Sequence, residues 1–204
     1  MDTAFPVTAF VTLFVIVDPI GLTPLFIALT HGMTAAERRA TGLRACLTAA
    51  VLLCVFAAFG EAVLGFAGIS MPAFRIAGGA LLFLTALDML FERRSRRRED
   101  QTGEDRPDPS VFPLAIPLIA GPGAIATVIL LAGERPGIEG LALVVAVMLA
   151  VLAVVLVLFL ASGALARMLG RTGTNVVTRL LGMLLAALSV QFILDGLRDF
   201  GFAG

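Results

Sequence analysis

The chain has 204 residues, 59% hydrophobic and only 15% charged, with a formal net charge of zero and a mean hydropathy of +1.00. Apolar runs of spanning length recur along it, which a soluble core of this size does not need, so the composition excludes a soluble globular domain. Its one arginine cluster is charge-balanced, so nucleic-acid binding has no basis either.

Six apolar runs follow in order, at residues 5–29, 44–66, 73–91, 111–132, 140–165 and 176–197. The expected fold is all-α: a polytopic membrane protein with six transmembrane spans, discontinuous in spans one and four. Asp2 is the only charged side chain at the start and no basic n-region precedes the first span. That span therefore reads as retained rather than cleaved as a signal peptide. Cys46 and Cys54 lie eight residues apart in the second span, about 12 Å along a helix axis. That is too far to bridge, and the pair reads as small apolar side chains, with no metal site implied.

All fifteen basic residues are arginine. With the N-terminus outside, the inner loops hold Arg38, Arg39, Arg44, Arg93, Arg94, Arg96, Arg97, Arg98, Arg106, Arg167, Arg171 and Arg179. The outer loops then hold only Arg75, Arg135 and Arg198. This bias places both termini outside a bacterial or archaeal inner membrane. Residues 92–110 form the only long polar stretch, in which six arginines and six acids cancel. They read as a mobile cytoplasmic linker between two three-span repeats, 1–91 and 111–204.

The two halves rhyme. The first span is broken at Val17-Asp18-Pro19-Ile20-Gly21-Leu22-Thr23-Pro24, and the fourth at Pro117-Leu118-Ile119-Ala120-Gly121-Pro122-Gly123. Pro19 precedes Arg75 by 56 residues, and Pro122 precedes Arg179 by 57. Each arginine is followed by glycine three residues on, and by Thr85 or Ser189 ten residues on. Three spans per half make the second half enter the membrane from the opposite side, so the repeats are expected to be inverted.

Helix breaks in hydrocarbon leave backbone groups unpaired unless protein, water or a ligand pairs them. Paired breaks in two halves point to a transporter's binding site. Asp18 is placed to N-cap a half-helix with Pro19 at N1; alternatively Thr23 caps one that begins at Pro24. Gly121 leads into Pro122 in the same way. Two half-helix N-termini would then face each other and suit one carboxylate. Gly21, Gly121 and Gly123 let the ligand approach the backbone, while Thr23 and Thr127 offer hydroxyls. Two readings stand for Asp18: a cap that holds the break open, or a direct partner for an ammonium group, a proton or a sodium ion. Arg75 and Arg179, at the starts of spans three and six, either anchor at headgroups or gate by pairing with an acid. Gln191 is expected to bond across helices and Asp195 lies at a span end, both as coupling candidates. Gly78, Gly79 and Gly182 are expected to allow close helix packing. No nucleophile–base pair, metal spacing or phosphate loop is present, so no enzyme and no resident cofactor is expected beyond a coupling ion.

Several motifs resemble the MarC family of membrane proteins. They are Asp18-Pro-Ile-Gly-Leu-Thr-Pro-Leu-Phe26, Arg75-Ile-Ala-Gly-Gly79, Pro113-Leu-Ala-Ile-Pro-Leu-Ile-Ala-Gly-Pro-Gly123, Asn175-Val-Val-Thr-Arg179 and Ser189-Val-Gln-Phe-Ile-Leu-Asp-Gly196. The likeness runs along the whole chain except 92–110. It implies six spans and a relation to SnatA-type carriers of small neutral amino acids such as glycine or alanine. The expected function is therefore secondary transport by alternating access, with cation coupling open. A small-solute channel and a non-transporting scaffold whose partner binds the 92–110 loop are the rivals. Small apolar faces would also permit a homo-oligomer.

Overall fold

The computed structural model describes residues 4–91 and 109–202, without the side chains of 163–171 and 174. The linker arginines Arg93, Arg94, Arg96, Arg97, Arg98 and Arg106, and the side chains of Arg167 and Arg171, lie outside this description. Among the described residues every regular element is helical. The elements are α1 (Ala4–Val17), α2 (Pro19–Leu29), α3 (Ala35–Phe66), α4 (Met71–Leu90), an irregular segment Ser110–Ile119, α5 (Pro122–Glu134), α6 (Ile138–Leu160) and α7 (Ser162–Asp199). Among the described residues, five helical stretches are long and apolar enough to cross a membrane, with α1 and α2 together counted as one, or six if the bent pair formed by Ser110–Ile119 and α5 is one span.

Local chemistry accounts for most of the boundaries. Thr34 and Glu37 close a capping box on α3: Thr34 N donates to Glu37 Oε2 at 2.8 Å, and Glu37 N to Thr34 Oγ1 at 3.3 Å. This starts the helix nine residues before the apolar run, and its 32 residues span about 48 Å, longer than the hydrocarbon core. Likewise α7 begins at Ser162 rather than near 176, and α6 ends at Leu160 rather than at 165. The Ser110–Ile119 segment is irregular because Pro113 and Pro117 each push the residue before them out of helical geometry. Phe112 (φ −129°, ψ 122°) and Ile116 (φ −126°, ψ 124°) are extended, and the peptide bonds to both prolines are cis.

The broken spans pack mainly against helices from the other side of the linker, although α5 also touches α6. The α1–α2 pair lies against α6 and α7, while the Ser110–Ile119 segment and α5 lie against α3, and α5 also against α4. The most extensive contact is α4 with α7, and glycines bring these two helices to backbone distance. A Cβ on Gly79 would stand 2.8 Å from Ser189 O, and one on Gly196 3.0 Å from Pro72 O. One on Gly182 would stand 2.9 Å from Met89 Cβ. Without a hydrophobic force between helices in lipid, such close packing is the main source of association. Gly79→Val is expected to lower the melting temperature in detergent by several degrees, since overpacking costs about 1–3 kcal/mol. An unchanged melting temperature would mean that α4 and α7 do not touch there.

Candidate functional site

The first break is a single residue wide. Asp18 is fully buried and left-handed (φ 54°, ψ 64°), and its neighbours continue the helix on both sides. Asp18 N donates to Phe14 O and Leu22 N to Asp18 O, each at 2.9 Å. Asp18 Oδ1 accepts from Gly21 N at 2.9 Å, so the carboxylate caps α2 and meets the positive end of its dipole. Gly21 is needed there, because a Cβ would overlap the Asp18 carboxylate. Pro19 occupies the first helical position, where its missing N–H costs nothing. Of the two capping alternatives the structure has Asp18; Thr23 is inside α2, and its hydroxyl donates to Pro19 O at 3.0 Å. Pro24 lies inside α2 and is exposed.

The second break is wider and bends the chain by 56°. Gly121 is extended (φ −80°, ψ 170°) and Pro122 again stands at N1, but no side chain caps α5. A Cβ on Gly121 would be 2.6 Å from Pro117 O. Pro122 carries no N–H, so the first donors are those of Gly123 and Ala124, both buried residues. Buried donors at a helix start with no side-chain partner are costly unless something else accepts from them. The Thr127 hydroxyl donates to Gly123 O at 2.8 Å, matching Thr23 at the first break. Both hydroxyl protons are thus committed to their own helices.

The fold brings the two breaks together. A Cβ on Gly123 would stand 3.4 Å from Ile16 Cγ2 at the end of α1, 3.3 Å from Leu82 Cδ2 and 3.9 Å from Thr85 Oγ1. Ile16 lies two residues before Asp18, so the start of α5 abuts the chain that carries the buried carboxylate. From the other side, Thr178 on α7 places its hydroxyl 3.5 Å from Asp18 Oδ2, long for a hydrogen bond. Thr178 and Ile16 were not singled out as site residues in the sequence, and Thr85 entered only as one of the matches between the two halves. For Thr178 the signal was the Asn175–Arg179 motif, which contains it.

The remaining candidates sit elsewhere. Arg179 is exposed and lies seventeen residues into α7, next to Thr178, so it does not begin a helix as its place before an apolar run suggests. Arg75 does lie near a helix start, at one end of the bundle, where its guanidinium pairs with Asp199 and, at 3.5 Å, with Glu134. It therefore ties the start of α4 to the ends of α5 and α7. Gln191 bonds along α7 rather than across helices: its Nε2 donates to Asp195 Oδ1 at 2.9 Å, the neighbouring turn of the same helix.

A family model for MarC family integral membrane proteins matches residues 3–200. Among curated proteins, the chain is 38% identical to UPF0056 membrane protein YvbG of Bacillus subtilis, over 97% of this chain and 96% of the relative. It is 36% identical to UPF0056 membrane protein MJ1677 of Methanocaldococcus jannaschii, over 97% and 98%. It is 39% identical to UPF0056 membrane protein YhcE of Escherichia coli, over 93% and 90%. No solved structure matches the chain.

Proposed function

This chain belongs to the MarC family of integral membrane proteins, and on that premise we propose that it is a secondary carrier of small neutral amino acids, of the SnatA type. The observation that carries the reading is the pair of unlike breaks held side by side in the bundle. One helix start, α2, already holds an internal carboxylate in Asp18. The other, α5, has buried donors and no side-chain cap. A zwitterion fits this asymmetry: its carboxylate accepts from Gly123 and Ala124, and its ammonium group meets Asp18 and nearby carbonyls. Both breaks were expected to receive the carboxylate, and the Asp18 cap narrows that role to α5. The same carboxylate is the natural place for a coupling proton or sodium ion.

Six spans in two inverted repeats, with both termini outside, complete the reading. It is supported by the cross-packing, in which each broken span rests on helices of the other half, and by the arginine bias. In that orientation the Arg75–Glu134–Asp199 cluster closes the outer end and is a gate whose pairs part in one state of the cycle. The test is counterflow: purified protein in liposomes loaded with unlabelled alanine is given labelled alanine or glycine outside. Saturable, accelerated uptake is expected. Linear flux without counterflow would make the protein a pore. No exchange from vesicles holding folded protein would remove amino-acid transport altogether.

A further inference from the structure

A hollow of about 490 Å³ lies beside the second break, between α3, α4, the Ser110–Ile119 segment and α5. Its walls include Phe56, Phe74, Pro117, Ala120 and Ile129, and no charged or hydroxyl side chain of the described residues lines it. Its rim is formed by Val63, Ile116 and Pro122, all exposed. Val63 ends a stripe on α3, with Val51, Val55 and Phe59 at four-residue spacing, that turns 48–66% of each side chain away from the bundle. In a membrane-embedded chain this outward apolar stripe faces hydrocarbon, and the mouth of the hollow is continuous with it.

We infer that the hollow is a binding site for one lipid acyl chain, from the leaflet that surrounds the Phe66 end of α3. The tail enters past Val63 and Ile116 and lies against Phe56, Phe74 and the flank of the break at Ala120 and Pro122. An amino acid or any ionic ligand would lose its hydration here and find no partner. An acyl chain exchanges one apolar surrounding for another and supplies the dispersion contacts that an empty hollow withholds from its walls. The first break is closely packed on its inner side. Pro19, Leu22 and Phe26 are buried there, and the Phe26 and Phe159 rings stack with centroids 4.1 Å apart. Lipid thereby reaches the flank of the break that bends by 56°. Bilayer composition reaches the start of α5 through that contact.

The chain contains no tryptophan or tyrosine, so Phe74→Trp introduces a single indole into the hollow. The variant is reconstituted in phosphatidylcholine vesicles whose acyl chains carry bromine. Two single-tryptophan references accompany it: Phe59→Trp on the lipid-facing stripe and Phe26→Trp in the sealed core. Phe56→Trp reports from the opposite wall and replaces Phe74→Trp if that variant does not fold. Quenching at least half that of Phe59→Trp, and several-fold above Phe26→Trp, is expected. Quenching no greater than that of Phe26→Trp would overturn the site. Quenching by aqueous acrylamide in place of brominated chains would also overturn it, because the hollow would then hold water.

Discussion

Asp18→Asn is expected to abolish or cut at least tenfold the saturable exchange of alanine while leaving the protein folded. Asp18 does two local jobs: it holds a left-handed backbone conformation (φ 54°) and it accepts from Gly21 N. Asparagine does both, since it tolerates that conformation better than other non-glycine residues and caps helices about as well as aspartate. What it lacks is the charge. A charged hydrogen bond to an ammonium group contributes about 1.5–3 kcal/mol, which is on the order of 10–100-fold in affinity. The loss should fall on KM for the amino acid, or on the coupling ion, with the melting temperature little changed. Asp18→Ala is the contrasting variant. It removes the cap and strains the backbone, at about 1–2 kcal/mol for each effect, so it should lower the melting temperature as well. If Asp18→Asn transports with unchanged KM and ion dependence, the carboxylate is a cap and nothing more.

The position of that carboxylate was legible in the sequence because it rests on local chemistry. Asp-Pro followed by a glycine spells a cap, a first helical residue and the room the cap needs, and the structure builds that unit at residues 18–21. Gly121-Pro122 was legible for the same reason. The prolines at 113 and 117 were not read this way, and the break was expected only at 117–123; each disfavours helical geometry in the residue before it, so the irregularity begins earlier, across Ser110–Ile119.

Helix ends were less legible, because hydropathy measures how much of a helix sits in hydrocarbon rather than where its hydrogen bonds stop. Residues 166–175 mix arginine, glycine and threonine and end the apolar run, yet α7 passes through them. Arg179 was consequently assigned to a helix start and lies well inside one. Gln191 offered no way to choose between a partner on another helix and Asp195 four residues on, and the nearer acid won. The Thr178–Asp18 approach joins residues 160 apart in sequence. No local pattern encodes it, since it depends on how α7 is laid against the first broken span.

The contact between the breaks yields the second large effect. Gly123→Leu is expected to abolish exchange, and Gly123→Ala to weaken it only modestly. A single methyl at this position would meet Leu82 and Ile16 at 3.3 and 3.4 Å, tight but open to small adjustment. A leucine has nowhere to put its remaining carbons, because Ile16 and Leu82 are both buried and packed. Such overpacking costs about 1–3 kcal/mol and is relieved by moving the start of α5 away from α1. That movement carries the Gly123 and Ala124 donors away from the chain bearing Asp18, and so separates the two ends of the proposed zwitterion site. Loss of activity alone would not distinguish this from general damage, but a second substitution does. Ile16→Ala removes the side chain that the leucine strikes, so the Ile16→Ala/Gly123→Leu double variant should recover exchange lost by Gly123→Leu alone. The coupling between the two positions should be on the order of 0.5–3 kcal/mol, as for residues in direct contact. Strictly additive losses would mean that Gly123 acts through Leu82 and α4, and that the two breaks do not share one site.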